Sequence, residues 1–174
     1  AHDQGKADPA FQAWLRGGNR ALVGPGVELL AKSKANQSKR ERRRARERAE
    51  YPAGGRHELV SAQALNQCPI LLERVSDPQL LIHLVASHHG YCRPFAPWVS
   101  DKRSDEQQTL PFDVDGIALV ARVKSGMEKL NNGQSERFWN LVRKQGWWGL
   151  SFLEAILIGA DHSRSCWERE EQRQ

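Results

Sequence analysis

The sequence lacks the features of a membrane-spanning, secreted or disulfide-stabilised chain. It has no stretch of about 18 uncharged apolar residues, so no transmembrane helix is predicted. Its first residues contain no apolar signal-peptide core. The cysteines are odd in number and widely spaced, with no C-x-x-C pair: Cys68, Cys92 and Cys166. This pattern argues against a disulfide framework and a zinc knuckle, and it predicts a reducing cytoplasm.

The basic character of the chain is confined to one segment. The formal net charge is +5. Residues 32–50 contain nine Lys or Arg and three Asp or Glu, a local charge of +6, and the rest contains 17 basic and 18 acidic residues, a net of −1. Such a segment attracts a polyanion, because neutralising phosphates releases condensed counterions. The alternative is a solvated insertion that touches nothing.

The spacing of apolar residues predicts a mainly α fold. Gly17 ends the first helix, Asp77-Pro78 is a helix start, and Gly90 ends that helix. The run 117–121 suits a short strand or a helix equally. Residues 91–112 contain several prolines and are predicted to be loop. The predicted helices are 6–16, one beginning near His57, one from 78 to about 88, 135–144 and 147–163.

Four short segments concentrate histidine and aspartate: His2-Asp3, His57, His88-His89 and Asp161. Neighbouring helical residues diverge by about 100°, so His88 and His89 can reach one site only near a helix end, where Gly90 places them. Imidazole suits transition metals, and a carboxylate can bridge two of them. The alternative is one core histidine beside one exposed histidine.

Asp161 is predicted to lie on an inward helix face with Leu150, Glu154 and Leu157. A buried carboxylate is costly unless it is paired or bound to metal. The alternative is a surface acid near a helix end, or one paired with Arg164. His83 lies among leucines and is predicted to be structural, satisfied by a neighbour.

The motifs together resemble one family. His2-Asp3-Gln4-Gly5-Lys6 matches the H-D-x-G-K signature of the HD phosphohydrolase superfamily, and Phe11-Gln12 follows it. With this continuation the chain resembles the HD nuclease domain of the CRISPR-associated helicase–nuclease of type I interference systems. Further blocks agree in order: Arg56-His57-Glu58-Leu59, Ala86-Ser87-His88-His89-Gly90, Leu153-Glu154-Ala155-Ile156-Leu157 and Ala160-Asp161-His162.

The resemblance implies an all-α HD-domain helical bundle over 1–174, with a strand or hairpin near 114–124 left open. This single domain is expected to be N-terminally incomplete and to carry a basic insertion at about 32–50. Asp3 would bridge up to two divalent ions, with Fe, Mn, Co, Ni and Mg all open. One site would be completed by His57, His88 and His89, and the other by His2 and Asp161. The family adds a histidine upstream of the doublet, which this sequence does not contain.

The implied activity is hydrolysis of single-stranded DNA by a metal-held hydroxide in the prokaryotic cytoplasm. Asp3 and Lys6 would be catalytic, with Lys6, Arg93 and Arg164 contacting substrate. The implied partners are a helicase segment or chain and the CRISPR RNA-guided surveillance complex, with no membrane. No G-x-x-x-x-G-K-[ST] motif is present, so ATP-driven unwinding would belong elsewhere. The alternatives are an HD phosphohydrolase of nucleotides or cyclic nucleotides, and a catalytically impaired nucleic-acid-binding or docking module.

Overall fold

The chain folds as a helical bundle with a small β-hairpin, which confirms the mainly α prediction. The computed structural model describes residues 2–33, 37–114, 117–130 and 132–171. Its elements are α1 (Pro9–Leu15), α2 (Lys39–Ala49), α3 (His57–Asn66), α4 (Pro69–Leu72), α5 (Pro78–Ser87), β1 (Gln108–Val114), β2 (Ile117–Val123), α6 (Gln134–Gln145) and α7 (Trp147–Glu171). Short 3-10 turns cover Gln4–Ala7 and Arg20–Leu22.

The helix expected over residues 6–16 is two elements. A 3-10 turn ends at Ala7, and Asp8 then caps α1 by accepting a hydrogen bond from Ala10 N at 2.8 Å. Pro9 follows in the first turn of α1, where its fixed φ and missing N–H are tolerated. The break lets the first residues take a separate direction from α1.

The basic segment contains a regular helix. Ser38 and Glu41 form a capping box at the start of α2. Ala45 and Ala49 are buried on the side of α2 that packs against α1, and Trp14 Nε1 donates to the carbonyl of Arg42 at 3.1 Å. The interpretation of a solvated segment that touches nothing is therefore wrong for residues 39–49.

Helix α3 is the centre of the main core. It packs against the first 3-10 turn, α5 and β2. Because neighbours cover several of its sides, its buried residues are not confined to one stripe. The buried apolar residues of this core include Leu59, Val60, Leu65, Ile82, Val85, Leu110, Ala121, Val123 and Met127.

The hairpin resolves the open alternative for 117–121 in favour of a strand. β1 and β2 pair antiparallel, with Leu110 opposite Ala121 and Pro111 opposite Val120. The loop expected over 91–112 is therefore wrong for residues 108–112. Proline is tolerated because both strands of a two-stranded sheet are edge strands.

Helix α7 closes the bundle and extends to Glu171, eight residues beyond its predicted end. Phe138, Leu141 and Leu150 form a small core between α6 and α7. In the described part of the chain, none of the helices combines the length and the apolar character needed to cross a bilayer.

Candidate metal centre

Three separated parts of the chain bring four side chains to one point. Asp3, His57, His88 and His89 each offer an oxygen or nitrogen atom, and these atoms lie within 4.8 Å of one another. Asp3 comes from the start of the chain, His57 from the first turn of α3, and the two adjacent histidines from the end of α5. A carboxylate with three imidazoles is a ligand set for a divalent transition metal.

Gly5 allows the first turn to lie directly on α3. Its N–H donates to Ser61 Oγ at 2.7 Å, and that hydroxyl donates to the carbonyl of His57 at 2.9 Å. A Cβ at position 5 would lie 2.0 Å from the same carbonyl oxygen. Glycine is therefore required, and the close approach leaves Asp3 Oδ1 3.1 Å from His57 Nε2.

The end of α5 orients His88 and His89. The helix ends at Ser87, and Gly90, with φ of +80°, donates its N–H to the Ser87 carbonyl at 2.7 Å. His88 Nδ1 donates to the carbonyl of Val85 at 2.7 Å. This bond leaves the lone pair of the neutral ring on Nε2, which is the tautomer that a metal-ligating histidine needs.

The Nε2 atom of His88 is the clearest sign that the centre accommodates an ion. It is buried, it has no hydrogen-bond partner, and Asp3 Oδ1 lies 3.8 Å from it. A buried polar atom without a partner costs free energy. A metal ion in the space shared with Asp3, His57 and His89 would satisfy it, so the residues present fit such an ion.

The charges at the centre favour the ligating form of the carboxylate. Burial raises the pKa of Asp3, but His57, His88 and Lys6 lower it by more, so its pKa lies well below the usual range. Burial, reinforced by the positive charge of His88, lowers the pKa of His89. Metal ligation requires an ionised carboxylate and neutral imidazoles.

His88 shows the opposite shift. Burial lowers its pKa, but the Asp3 carboxylate and the Val85 carbonyl raise it by more, so the net change is upward. A proton therefore competes with a bound metal ion for the Nε2 atom of this ring.

His2 and Asp161 lie beside this group. His2 Nε2 is 3.1 Å from Asp161 Oδ1 and 3.6 Å from Asp3 Oδ2, so His2 is placed between the two carboxylates. Burial is the main cause that lowers the pKa of His2. The alternative pairing of Asp161 with Arg164 is not observed, because Arg164 Nε donates to Glu168 at 2.8 Å.

The predicted substrate residues occupy different surroundings. Lys6 Nζ lies 2.6 Å from Asp3 Oδ2, at the centre itself. Arg164 is exposed and lines the cleft in front of it. Arg93 is held elsewhere: its Nε contacts Glu154 Oε2 at 2.8 Å, and it donates to Ser151 Oγ at 3.1 Å.

Glu154 and His83 form a structural pair, as the sequence predicts for His83. Its Nε2 lies 2.6 Å from Glu154 Oε1, and the side chain is fully buried. Together with the contact from Arg93, this pair joins α7 to α5. Glu154 therefore faces inward but does not face the metal centre.

Asp3 of the centre lines a cleft of about 680 Å³, together with His2 and Lys6. One wall is the segment 28–33, and the other is the second half of α7 with Asp161 and Arg164. The buried amide of Gln12 holds the first wall: it donates to the carbonyls of Lys6 at 2.7 Å and Leu30 at 2.9 Å, and it accepts from Leu30 N at 2.9 Å.

The structural roles of Gln12 and Glu58 are not predicted by the sequence. Glu58 is buried, and its Oε2 lies 3.5 Å from His57 Nδ1, where it can orient the ring. Both residues lie within the motifs that carry the family resemblance, and this position was the one sequence feature that pointed to them. Their partners, however, are set by contacts that the motifs do not reveal.

The comparisons with known proteins agree with this arrangement. The model of the family described as Cas3, HD domain, matches residues 1–148 of the 174. The chain belongs to this family. Members of the Cas3 HD-domain family are metal-dependent nucleases of CRISPR systems. Neither the curated proteins nor the solved structures compared contain a significant match.

The match to the Cas3 HD domain covers the four clustered residues and His2. Asp161 lies beyond the matched range, on the part of α7 that faces His2.

Proposed function

We propose that this chain hydrolyses phosphodiester bonds of single-stranded DNA in CRISPR interference. The single observation that carries the proposal is the group of Asp3, His57, His88 and His89, in which the buried His88 Nε2 has no other partner. Asp3 of this centre lines a cleft that is open to solvent, so a polymer need not be enclosed. An enclosed pocket would be expected of an enzyme for small nucleotides.

Each residue has a distinct role in this proposal. Asp3, His57, His88 and His89 would hold one divalent ion, and His2 and Asp161 would contribute with Asp3 to a second. Fe, Mn, Co, Ni or Mg would supply an acidified water and stabilise charge on the phosphate. Lys6 would present its ammonium group to the phosphate as a point charge, and Arg164 would contact the strand at the cleft.

The aspartate at the centre gives the most direct test of the proposal. Incubated with Mn²⁺ or Co²⁺, the chain should degrade circular single-stranded DNA, and Asp3→Asn should slow cleavage by at least about 100-fold, since even residues behind metal ligands change activity 10–100-fold. Asp105→Asn is the matched control, because its carboxylate is 99% exposed. The measurement is loss of intact circles with time on a gel.

A nucleotide panel and metal analysis complete the test. Hydrolysis of nucleotides or cyclic nucleotides without cleavage of DNA would support the alternative phosphohydrolase and contradict the nuclease. Bound metal with no cleavage of any substrate would instead support a docking module. Loss of bound metal in His88→Ala but not in His162→Ala would support the assigned centre, since His162 is exposed.

The proposed setting is the cytoplasm of a prokaryote, with a helicase segment or chain and a CRISPR RNA-guided surveillance complex as partners. Cys68 and Cys92 are free thiols buried in the core, which suits a reducing compartment. A helicase would deliver the single strand on which this centre acts. Co-purification with such a complex on target DNA would test the assignment.

A further inference from the structure

We propose that one face of α2, with Trp14 at its edge, is a track for a single nucleic-acid strand leading to the metal centre. The side chains of this α2 track are Trp14, Lys39, Arg42, Arg43 and Arg46. The proposal rests on the nuclease function above and adds a second contact region for its polymer substrate.

The helical period divides the charges of α2 between two faces. At about 100° per residue, positions 39, 42, 43 and 46 fall on one side, next to the buried Ala45 and Ala49. Arg40 and Arg44 fall on the other side. Trp14 and the four basic side chains of the α2 track surround a shallow hollow of about 280 Å³.

Most of this positive charge is not neutralised within the protein. Among the described residues, Arg42 and Arg46 have no carboxylate within ion-pair distance, whereas Arg43 is paired with Glu47 at 2.9 Å. Like charges one helical turn apart destabilise an isolated helix. A polyanion lying along the face would offset that repulsion and release its own counterions.

One segment, residues 31–33, borders both the α2 track and the cleft beside the metal centre. A hollow of about 390 Å³ beside it is lined by Trp14 and Arg42, and also by residues 31–33. The same residues 31–33 line the metal cleft. A strand leaving the cleft over this segment would therefore arrive at Trp14 and then at the arginines.

Trp14 is held as a rigid aromatic surface at the start of the track. It stacks on Tyr51 with ring centroids 5.4 Å apart and an interplanar angle of 11°, and its Nε1 is bonded to the Arg42 carbonyl. The ring remains partly exposed. Aromatic rings beside basic side chains are the usual combination for binding single strands, because every base can stack on them.

The composition of α2 favours nucleic acid over an anionic membrane. A helix that binds a membrane surface exposes bulky apolar residues beside its basic ones. The apolar residues of α2 are alanines, and Ala45 and Ala49 are buried against the protein. The exposed faces are polar and charged throughout.

Two double variants test the track with the same change in net charge. Arg42→Gln/Arg46→Gln should weaken binding to a single-stranded oligothymidylate at least about 10-fold and reduce its salt slope by roughly 1.4, the value for two phosphate contacts on a single strand. Arg40→Gln/Arg44→Gln, on the opposite face, should change binding less than about 2-fold. Fluorescence anisotropy with EDTA present, over a range of salt concentrations, measures both without cleavage.

The outcomes separate this proposal from the proposed function. Hydrolysis of bis-p-nitrophenyl phosphate by the metal-loaded protein should be equal in wild type and in Arg40→Gln/Arg44→Gln, whose residues lie outside the track. If wild type lacks that hydrolysis, the proposed function fails while the binding comparison still stands. Equal weakening in the two variants, or weakening in neither, would overturn the track, as would binding confined to anionic vesicles. Lys39→Gln/Arg43→Gln repeats the test on the same face if the first variant does not fold.

Discussion

At position 5 even a methyl group does not fit. Gly5 approaches α3 so closely that an added Cβ would collide with the His57 carbonyl oxygen, and its N–H donates a hydrogen bond to Ser61 Oγ. The glycine of the H-D-x-G-K signature therefore has a steric reason in this structure. It sets the distance between the carboxylate and the first histidine of the centre.

We expect Gly5→Ala to weaken metal binding at least about 10-fold, the range seen when residues that orient ligands are lost. The added Cβ must push the first turn away from α3, and Asp3 would move with it. Gly24→Ala is the control, because a Cβ at position 24 meets no atom within 4 Å. Calorimetric titration with Mn²⁺ measures the change, and equal affinities in the two variants would contradict the steric argument.

At this scale the sequence predicts that a side chain is buried and needs a partner, but it does not predict which residue the partner is. His83 was predicted to be satisfied by a neighbour and is paired with Glu154. The identity of that neighbour, 71 positions away, could not be predicted, because helix packing rather than sequence spacing brings the two together. The same holds for Gln12 and the backbone of Leu30.

The start of α5 is stabilised both by its own capping residue and by a side chain of another helix. Asp77 accepts a hydrogen bond from Leu80 N at 3.0 Å, and Pro78 follows it, as the sequence predicts. In the folded chain Lys144 of α6 also reaches Asp77 Oδ2 at 2.8 Å. Hydrogen bonding from Lys144 is the first cause that lowers the pKa of Asp77, despite opposing burial.

This shift predicts a pH-dependent contribution to stability. Because the folded pKa lies below the unfolded value of about 3.9, the stabilisation is present above that value and is lost as the pH falls through the folded pKa. Asp77→Asn keeps the cap but removes the charge. We expect it to lower the free energy of unfolding by about 0.5 kcal/mol at pH 7, a modest effect because Lys144 is mostly exposed.

Urea unfolding of wild type and Asp77→Asn at pH 7 and near pH 3 provides the measurement. The difference between the two proteins should shrink at the lower pH. Lys144→Met serves as the reciprocal control and should show a similar loss at pH 7. A difference that grows on acidification would contradict the assigned ion pair.

Across the whole molecule, a buried ion pair joins the first helices to the region of the hairpin. Asp8 is fully buried, and Arg103 Nη2 lies 3.1 Å from its Oδ2. Burial raises the pKa of Asp8, and the charge of Arg103 opposes that rise. The pair connects the residues behind the metal centre to the loop that precedes β1.

We expect Arg103→Met to lower the free energy of unfolding by about 3–5 kcal/mol at pH 7, because it leaves a buried carboxylate without its partner. In the variant the pKa of Asp8 should lie further above the unfolded value, so the variant should gain stability, relative to wild type, as the pH falls. Asp8→Asn/Arg103→Met should recover part of the loss. Denaturant titrations of the three proteins at pH 7 and pH 5 would show whether the loss follows the uncompensated charge.

The sequence alone was sufficient for features that depend on near neighbours or on a family motif. These are the mainly α fold, the start of α5 at Asp77-Pro78, the turn at Gly90, and the family itself. The sequence also pointed to His57 and the adjacent His88 and His89. Each of these signals lies within a few residues, where backbone conformation and capping chemistry act.

The tertiary structure decided what depends on distant contacts. It placed Asp3 against His57 through the docking of Gly5 on α3, divided the first helix at Asp8, and paired β1 with β2. It also packed α2 against α1, so that the alanines of α2 are buried and most of its basic side chains are exposed. The sequence alone suggested the ligand residues. The H-D-x-G-K motif becomes part of a candidate metal centre only when packing brings it against α3 and the end of α5.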